Sequence, residues 1–150
     1  MILHRHLRSA VLALALALPT GVAVAAEPRN MSQEEANAAV RAMPDLYNPL
    51  FTAAVIAYVV RGCDDLRGPS RTQRRAYFLP VYFSARRAGF SRAQIEAFVN
   101  DSDEQARMRG HVERFLESRG VRPSDSAALC AFGRQEMAAG SAIGRRLSER

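Results

Sequence analysis

The stretch NPLFTAAVIAYVVRGC, residues 48–63, decides the class of fold that we predict from this sequence. Asn48 and Pro49 are the residue types that favour the cap and the first position of a helix. Apolar side chains then recur at helical spacing as far as Cys63. The apolar run Leu50–Val60 is 11 residues long, whereas a helix that spans a bilayer needs roughly 20. We therefore expect a buried helix of a globular domain.

Cap signals elsewhere in the chain predict further helices. A serine followed three positions later by Glu or Gln is the capping-box pattern. It opens predicted helices at Ser32 with Glu35, Ser70 with Gln73, Ser91 with Gln94 and Ser102 with Gln105. Phe90 and Ile95 occupy the positions of a hydrophobic staple around the third of these caps. A last long helix starts near Ser124 or Asp125, and Ser141 caps a short final turn. The expected helix ends are marked by Pro44, Gly89, Gly120 and Gly140.

Two places leave the path of the chain open. The helix at Ser102 either stands alone or continues the preceding helix through a bend at Asn100-Asp101. Pro80 lies inside the third helix and should kink it or split it near Leu79, because proline has no amide hydrogen to donate. No stretch of alternating polar and apolar residues is long enough to predict a strand.

Residues 1–26 have the pattern of a cleavable signal peptide. It comprises basic residues Arg5 and Arg8, the apolar run Ala10–Leu18, and small residues that place cleavage near Ala25 or Ala26. The apolar run is about half the length that spans a bilayer, which disfavours an uncleaved anchor. The predicted mature chain is a single helical domain, residues 27–150, with no transmembrane segment and a periplasmic or secreted location.

Charge and cysteine content follow from that prediction. The formal net charge is +6, and all 21 basic residues are arginine. Loss of Arg5 and Arg8 with the signal peptide would leave about +4. A charge of this size favours weak attraction to acidic surfaces and does not require a nucleic acid as partner. Cys63 and Cys130, an even number of cysteines in an exported chain, predict one disulfide. A reactive thiol pair or a metal site is the alternative, but there is no CxxC motif. We therefore predict an all-α fold, a compact bundle of five or six short helices closed by one disulfide, with no metal and no cofactor.

Two blocks near the C-terminus carry a resemblance to a known family. They are Cys-x-x-Gly-Arg-x-Glu at residues 130–136 and Gly-Ser-x-Ile-Gly at residues 140–144. Over roughly Leu50 to Leu147 the chain is similar to a family of small exported alphaproteobacterial proteins catalogued only as a domain of unknown function. The resemblance implies no activity, so it brings no catalytic residue. The glycines of this region either let helices approach closely around the disulfide or leave a docking groove for a partner helix.

Few residues could support catalysis. Asp64 and Asp65 follow the predicted helix end, where acids are mildly unfavourable. They either pair with Arg61, Arg67 or Arg134, or act as general acid and base or as a calcium site. His111 is the one histidine after the predicted signal peptide. We expect it to be a solvated surface residue near Glu104 and Arg107. The sequence contains no EF-hand spacing, nucleophile-elbow motif or phosphate loop.

Arginines of the third predicted helix are the candidate anion-binding residues: Arg71, Arg74, Arg75, Arg86 and Arg87. At 100° per residue, Arg71, Arg75 and Arg86 project within about 60° of one another if the helix continues straight. Tyr77, Tyr82 and Phe83 are interleaved with them and suit stacking on an anionic partner. The alternative is a solvated basic face whose aromatic side chains turn into the core.

These patterns favour a non-enzymatic interaction domain that binds another envelope component, because no nucleophile–base pair, metal cluster or phosphate loop is recognisable. There are two alternatives. One is an anionic glycan or lipid surface bound by the arginine-rich helix, and the other is a carboxylate-dependent hydrolase or lyase that uses Asp64 and Asp65. The expected partner is an envelope protein or an anionic surface, and not a nucleic acid.

Overall fold

The computed structural model describes residues 30–150, and helices dominate this part of the chain. Its helices are α1 (Gln33–Ala42), α2 (Pro44–Gly62), α3 (Arg71–Arg87), α4 (Arg92–Asn100), α5 (Ser102–Ser118) and α6 (Ser126–Ala138). A 3-10 turn, Gly144–Arg146, follows α6. The strands β1 (Leu66–Arg67) and β2 (Ser148–Glu149) pair antiparallel. The predicted all-α bundle of helices is confirmed, with this short pair of strands added to it.

The predicted signal peptide, residues 1–26, lies outside the described residues. Within residues 30–150, no helix is both long enough and apolar enough to cross a membrane. Export, cleavage and the division of the chain at residue 26 therefore stay predictions.

Serine caps open three of the helices, as the sequence predicts. Ser32, Ser70 and Ser91 each accept a hydrogen bond from the backbone N–H three residues later, and that residue's side chain accepts one from the serine N–H. These reciprocal bonds satisfy amide groups that a helix start otherwise leaves without partners. Phe90 and Ile95 belong to the same hydrophobic cluster, which agrees with the predicted staple at the start of α4.

The start of α2 differs from the prediction. The helix begins at Pro44, so that Asn48 and Pro49 lie inside it and do not open it. Met43 has an extended backbone (φ −102°, ψ 101°) and is both the C-cap residue of α1 and the N-cap residue of α2. Pro44 suits the first helical position because its φ is fixed and its missing amide hydrogen is not needed there. The predicted cap at Asn48 was wrong because Pro44 meets the requirement for proline at the first helical position five residues before Pro49.

Asp101 caps α5 and separates it from α4. Its carboxylate accepts hydrogen bonds from the N–H groups of Glu104 at 3.0 Å and Asp103 at 2.9 Å, and its backbone is extended. The bond from Glu104 is the main reason why the pKa of Asp101 lies below its usual range. The two helices are therefore separate, and the cap is Asp101 and not Ser102.

Helix α3 runs without interruption from Arg71 to Arg87, through Pro80. Pro80 cannot donate to the carbonyl of Ala76, but both residues are exposed, so water can reach that carbonyl. The predicted split near Leu79 does not occur. The arginines at the two ends of α3 therefore lie on one continuous helix.

Two hydrophobic clusters form the core, and α2 contributes to both of them. The first lies around α2, α5 and α6 and includes Val55, Val59, Leu116, Leu129 and Phe132. The second joins α1 and α4 to the start of α2 and the end of α3, and includes Ala36, Val40, Leu46, Ala85, Phe90 and Phe98. Because α2 supplies side chains to each cluster, it is the central helix of the bundle.

The predicted disulfide is present and ties the end of α2 to α6. Cys63 and Cys130 are bonded, and their Cα atoms are 5.1 Å apart. The C-terminus returns to this place, where Arg134 forms ion pairs with Asp65 at 2.8 Å and Glu149 at 3.1 Å. The two strands close the same end, but each has two residues, which is too short to show the alternation that predicts a strand.

Removing the disulfide should lower the free energy of unfolding. The bonded cysteines are 67 positions apart, and closing a loop of that size corresponds to about 4 kcal/mol in the chain-entropy model. We expect the Cys63→Ala/Cys130→Ala variant to lose about that amount in urea unfolding followed by circular dichroism. Reduction of the wild-type protein should give the same loss. A loss below about 1 kcal/mol in both experiments would contradict a stabilising role.

The 3-10 turn should require glycine at position 144. A Cβ at Gly144 would collide with the backbone carbonyl of Glu136, whereas a Cβ at Gly110 in α5 would meet only the end of the Arg114 side chain, 3.3 Å away. We expect Gly144→Ala to lower the free energy of unfolding by about 1–3 kcal/mol. The matched variant Gly110→Ala should raise it by about 0.5–1 kcal/mol, because alanine favours a helix interior. Equal stabilities in thermal unfolding would show that the turn adjusts to the added methyl group.

Candidate functional site

Arginines cluster on and around α3, in a segment of the sequence that contains no acidic residue. Between Asp65 and Glu96 the chain has no acidic residue and seven arginines, namely Arg67, Arg71, Arg74, Arg75, Arg86, Arg87 and Arg92. This segment therefore carries a formal charge of +7, whereas the whole chain carries +6. The remaining residues together are close to neutral, so the positive charge of the protein is concentrated in this one segment.

The outward face of α3 combines arginines with exposed apolar side chains. Leu79 is 49% exposed and Phe83 is 50% exposed, and residues four apart in a helix share a face. Arg71 and Arg75 precede them at the same spacing, and Arg86 follows on the same side. All five side chains are exposed, and we call them the outward face of α3.

The five predicted anion-binding arginines differ in their partners. Arg86 donates to the carbonyl of Phe90 at 2.9 Å, and Arg87 donates to Ser84 Oγ at 3.1 Å. These two side chains therefore help to close the end of α3. The side chains of the other three, Arg71, Arg74 and Arg75, form no hydrogen bond or ion pair with any of residues 30–150. A role in anion binding stays a prediction for all five.

The aromatic side chains of α3 divide between the surface and the interior. Phe83 is exposed, as the stacking hypothesis requires, whereas Tyr77 and Tyr82 are half-buried. Tyr77 donates a hydrogen bond from its hydroxyl to the carbonyl of Pro49 in α2 at 3.0 Å. Tyr77 and Tyr82 therefore turn partly into the interior, and of the three aromatic residues only Phe83 is exposed.

A cleft of about 700 Å³ opens between α2, α3 and the 3-10 turn, and we call it the α2–α3 cleft. Small-molecule sites typically have about 300–1,000 Å³. Apolar side chains line much of it, including Ile56 and Val60 of α2 and Phe78 of α3. Four arginines also line it: Arg61, Arg74, Arg145 and Arg146. No acidic residue among residues 30–150 does so.

Arg146 and Tyr77 form one wall of this cleft. The guanidinium of Arg146 lies over the Tyr77 ring, 4.2 Å from its centroid, in a cation–π contact. Arg146 also donates to the carbonyl of Ala142 at 2.7 Å. Because Tyr77 is itself bonded to Pro49, the position of this arginine is set by α2, α3 and the C-terminal turn together.

Asp64 and Asp65, the candidate acids, lie on the exposed turn after α2 and do not line the α2–α3 cleft. Asp65 pairs with Arg134 at 2.8 Å, one of the pairings that the sequence allowed. The Asp65 carboxylate and the sulfur atoms of Cys63 and Cys130 lie within 4.8 Å of one another. The two sulfurs are bonded to each other, however, and therefore provide no thiolate ligand for a metal.

His111 is half-buried, so the prediction of a solvated surface histidine was wrong. Its Nδ1 lies 2.6 Å from the hydroxyl of Tyr47, which joins α5 to α2. Burial, and then the charge of Glu104, raise the pKa of Tyr47, so its hydroxyl stays protonated at neutral pH. The two residues are 64 positions apart, and no local pattern in the sequence indicates their contact.

Glu104 has a second role besides its place in the first turn of α5. It is 8% exposed, forms an ion pair with Arg41 of α1, and lies 3.8 Å from Arg107. Nearby, Asn37 donates to the carboxylate of Asp101 at 3.2 Å. This polar network joins α1 to α5.

A family model described as a family of unknown function (DUF5333) matches residues 38–148. The chain belongs to this family. No curated protein and no solved structure matches it. The family match includes the stretch Leu50–Leu147 on which the resemblance was based and extends it into α1. The exported, alphaproteobacterial character that the resemblance implied stays an expectation, and function in this DUF5333 protein is argued from its own geometry.

Packing accounts for the two C-terminal blocks of this DUF5333 chain. A Cβ at Gly133 would collide with the side chain of Leu66, and one at Gly144 with the backbone of Glu136. Ser141 Oγ accepts a hydrogen bond from the N–H of Gly144 at 2.9 Å. These glycines face atoms of the same chain, which favours close approach around the disulfide over a docking groove for a partner helix.

Neutralising Glu104 should destabilise this DUF5333 protein more than neutralising Glu96. Both carboxylates are in ion pairs, but the side chain of Glu104 is 9% exposed and that of Glu96 is 57% exposed. We expect Glu104→Gln to lower the free energy of unfolding by about 2 kcal/mol, because Arg41 loses its charged partner. The matched variant Glu96→Gln should lose less than about 0.5 kcal/mol. Urea unfolding at neutral pH measures both, and equal losses would contradict this.

Proposed function

We propose that this protein is a non-enzymatic binding domain of the bacterial envelope that attaches to anionic lipid bilayers through the outward face of α3. The observation that carries the proposal is the pair Leu79 and Phe83, which are 49% and 50% exposed on a helix whose charged residues are all arginine. Lipid bilayers combine anionic headgroups with hydrocarbon, and this face combines arginine with apolar side chains.

Arginine provides the electrostatic part of the attraction. The side chains of Arg71 and Arg75 have no partner within residues 30–150, so they can bind lipid phosphate without first breaking an internal bond. The planar guanidinium group matches phosphate oxygens in a bidentate geometry. A basic residue close to an anionic membrane contributes about 1 kcal/mol. The three arginines of the outward face would together contribute on the order of 3 kcal/mol.

Leu79 and Phe83 favour a lipid surface over an anionic glycan. A fully buried leucine or phenylalanine side chain contributes about 1.5–3 kcal/mol relative to an exposed one, and inserting these half-exposed side chains into the bilayer interface recovers part of that. Basic and apolar residues side by side on an exposed helix are typical of interfacial binding. A glycan offers charges and hydroxyl groups but little hydrocarbon, and it would leave both side chains in water.

Sedimentation with lipid vesicles tests this proposal. We expect the wild-type protein to bind vesicles rich in phosphatidylglycerol, to bind pure phosphatidylcholine weakly, and to lose affinity as salt is raised. Leu79→Ser/Phe83→Ser should weaken binding by about tenfold even at low salt. Arg71→Gln/Arg75→Gln should weaken it by about 10–30-fold.

The matched control is Arg109→Gln/Arg114→Gln on α5, which removes two exposed arginines and the same net charge. We expect it to bind like the wild type. An equal loss of vesicle binding in this control would show that only the net charge of the protein matters, and it would contradict the proposal. Retention on a heparin-like matrix that needs the α3 arginines but not Leu79 and Phe83, without vesicle binding, would identify a glycan as the partner instead.

A further inference from the structure

The α2–α3 cleft shares no residue with the outward face of α3, so it is a second place where a ligand could bind. From α3 it uses Gln73, Arg74, Tyr77 and their neighbours, which lie on the side of the helix next to α2. We propose that this cleft binds one small amphiphile, a molecule with a single carboxylate or phosphate head and a hydrocarbon tail.

The apolar lining accounts for the tail. Ile56 lines the cleft but is already buried. The apolar surface that water still reaches comes from Val60 and Phe78, which are half-buried, and from the exposed Ala57 and Ala76. A tail placed against them would remove apolar surface from water, which is the main source of affinity for small ligands in concave sites. The cleft is partly open to solvent, so a chain can reach these side chains.

The charge of the cleft accounts for the head. Four arginines and no acidic residue of the described part of the chain line it. The side chain of Arg74 has no hydrogen bond or ion pair within residues 30–150, so its guanidinium can bind a ligand directly. Arg146 is held in place by the Tyr77 ring at 4.2 Å and by the Ala142 carbonyl at 2.7 Å, and its other N–H groups can donate. An anion is therefore the complementary head group, and the nearby apolar surface strengthens its attraction to the arginines.

Soluble probes test this inference without a bilayer. Decyl phosphate and decanoate, below the concentrations at which they form micelles, should bind the full protein with one-to-one stoichiometry in titration calorimetry. In NMR titrations the backbone amides of Ala57 and Tyr77, which line the cleft, should shift. Decanol lacks the anion and inorganic phosphate lacks the tail, and each should bind at least about tenfold more weakly.

Two pairs of variants locate the site. Arg74→Gln removes no internal bond and should weaken decyl phosphate binding by about tenfold, whereas Arg109→Gln on α5 should have no effect. Ala57→Phe would fill the cleft from an exposed position of α2, and Ala106→Phe is the matched change at an exposed alanine of α5. We expect the first to abolish binding and the second to preserve it, with unchanged circular dichroism in both.

Several results would overturn the inference. Decanol or inorganic phosphate binding as tightly as decyl phosphate would show that head and tail are not recognised together. Undiminished binding by Ala57→Phe would place the ligand elsewhere.

The Leu79→Ser/Phe83→Ser variant should bind decyl phosphate like the wild type, so the test of this cleft is independent of the test of vesicle binding. Competition by short-chain phosphatidylglycerol would identify a membrane lipid as the ligand, and competition by decanoate alone would identify a free fatty acid.

Discussion

The bond between Cys63 and Cys130 joins the end of the central helix to the last long helix, and the C-terminal part of the fold depends on it. Because α6 is held against the end of α2, Gly133 lies against Leu66, and β1 is positioned where β2 pairs with it. The 3-10 turn connects α6 to β2, so its place follows from both attachments. Arg146 reaches Tyr77 from this turn. One wall of the α2–α3 cleft therefore depends on the disulfide, although neither cysteine lines the cleft.

Helix α3 contributes little to either hydrophobic cluster. It is 17 residues long and has one buried residue, Ala85, whereas the 19 residues of α2 include four buried ones. Packing against the rest of the bundle therefore imposes few requirements on the side chains of α3. The exposed pair Leu79 and Phe83 contributes nothing to the core and lowers solubility. Binding gives a physical reason for such side chains that folding stability does not.

Sequence patterns predicted those parts of the structure that depend on neighbouring residues. A serine cap is recognisable because its hydrogen bonds reach only three residues along the chain, and the disulfide was predictable because there are two cysteines. Pro44 and Pro49 are both suited to the first position of a helix, and the sequence pattern alone predicted the wrong one as the start of α2. The contact of Tyr47 with His111 and the α2–α3 cleft depend on how separate helices pack. The arginines of the outward face of α3 could be predicted from the sequence, but the exposure of Leu79 and Phe83 beside them could not be predicted.

The uneven distribution of charge also affects how this protein approaches a partner. The segment between Asp65 and Glu96 carries a formal charge of +7, and the other residues of 30–150 include 11 arginines and 14 acidic residues. The described part of the protein therefore has an electric dipole whose positive end is at α3. At physiological ionic strength such a field extends about 8 Å from the surface. Within that distance a negatively charged surface exerts a torque on the protein and turns α3 towards itself before any contact forms. Rotation of this kind increases the rate of productive encounters more than it lengthens the lifetime of the bound state.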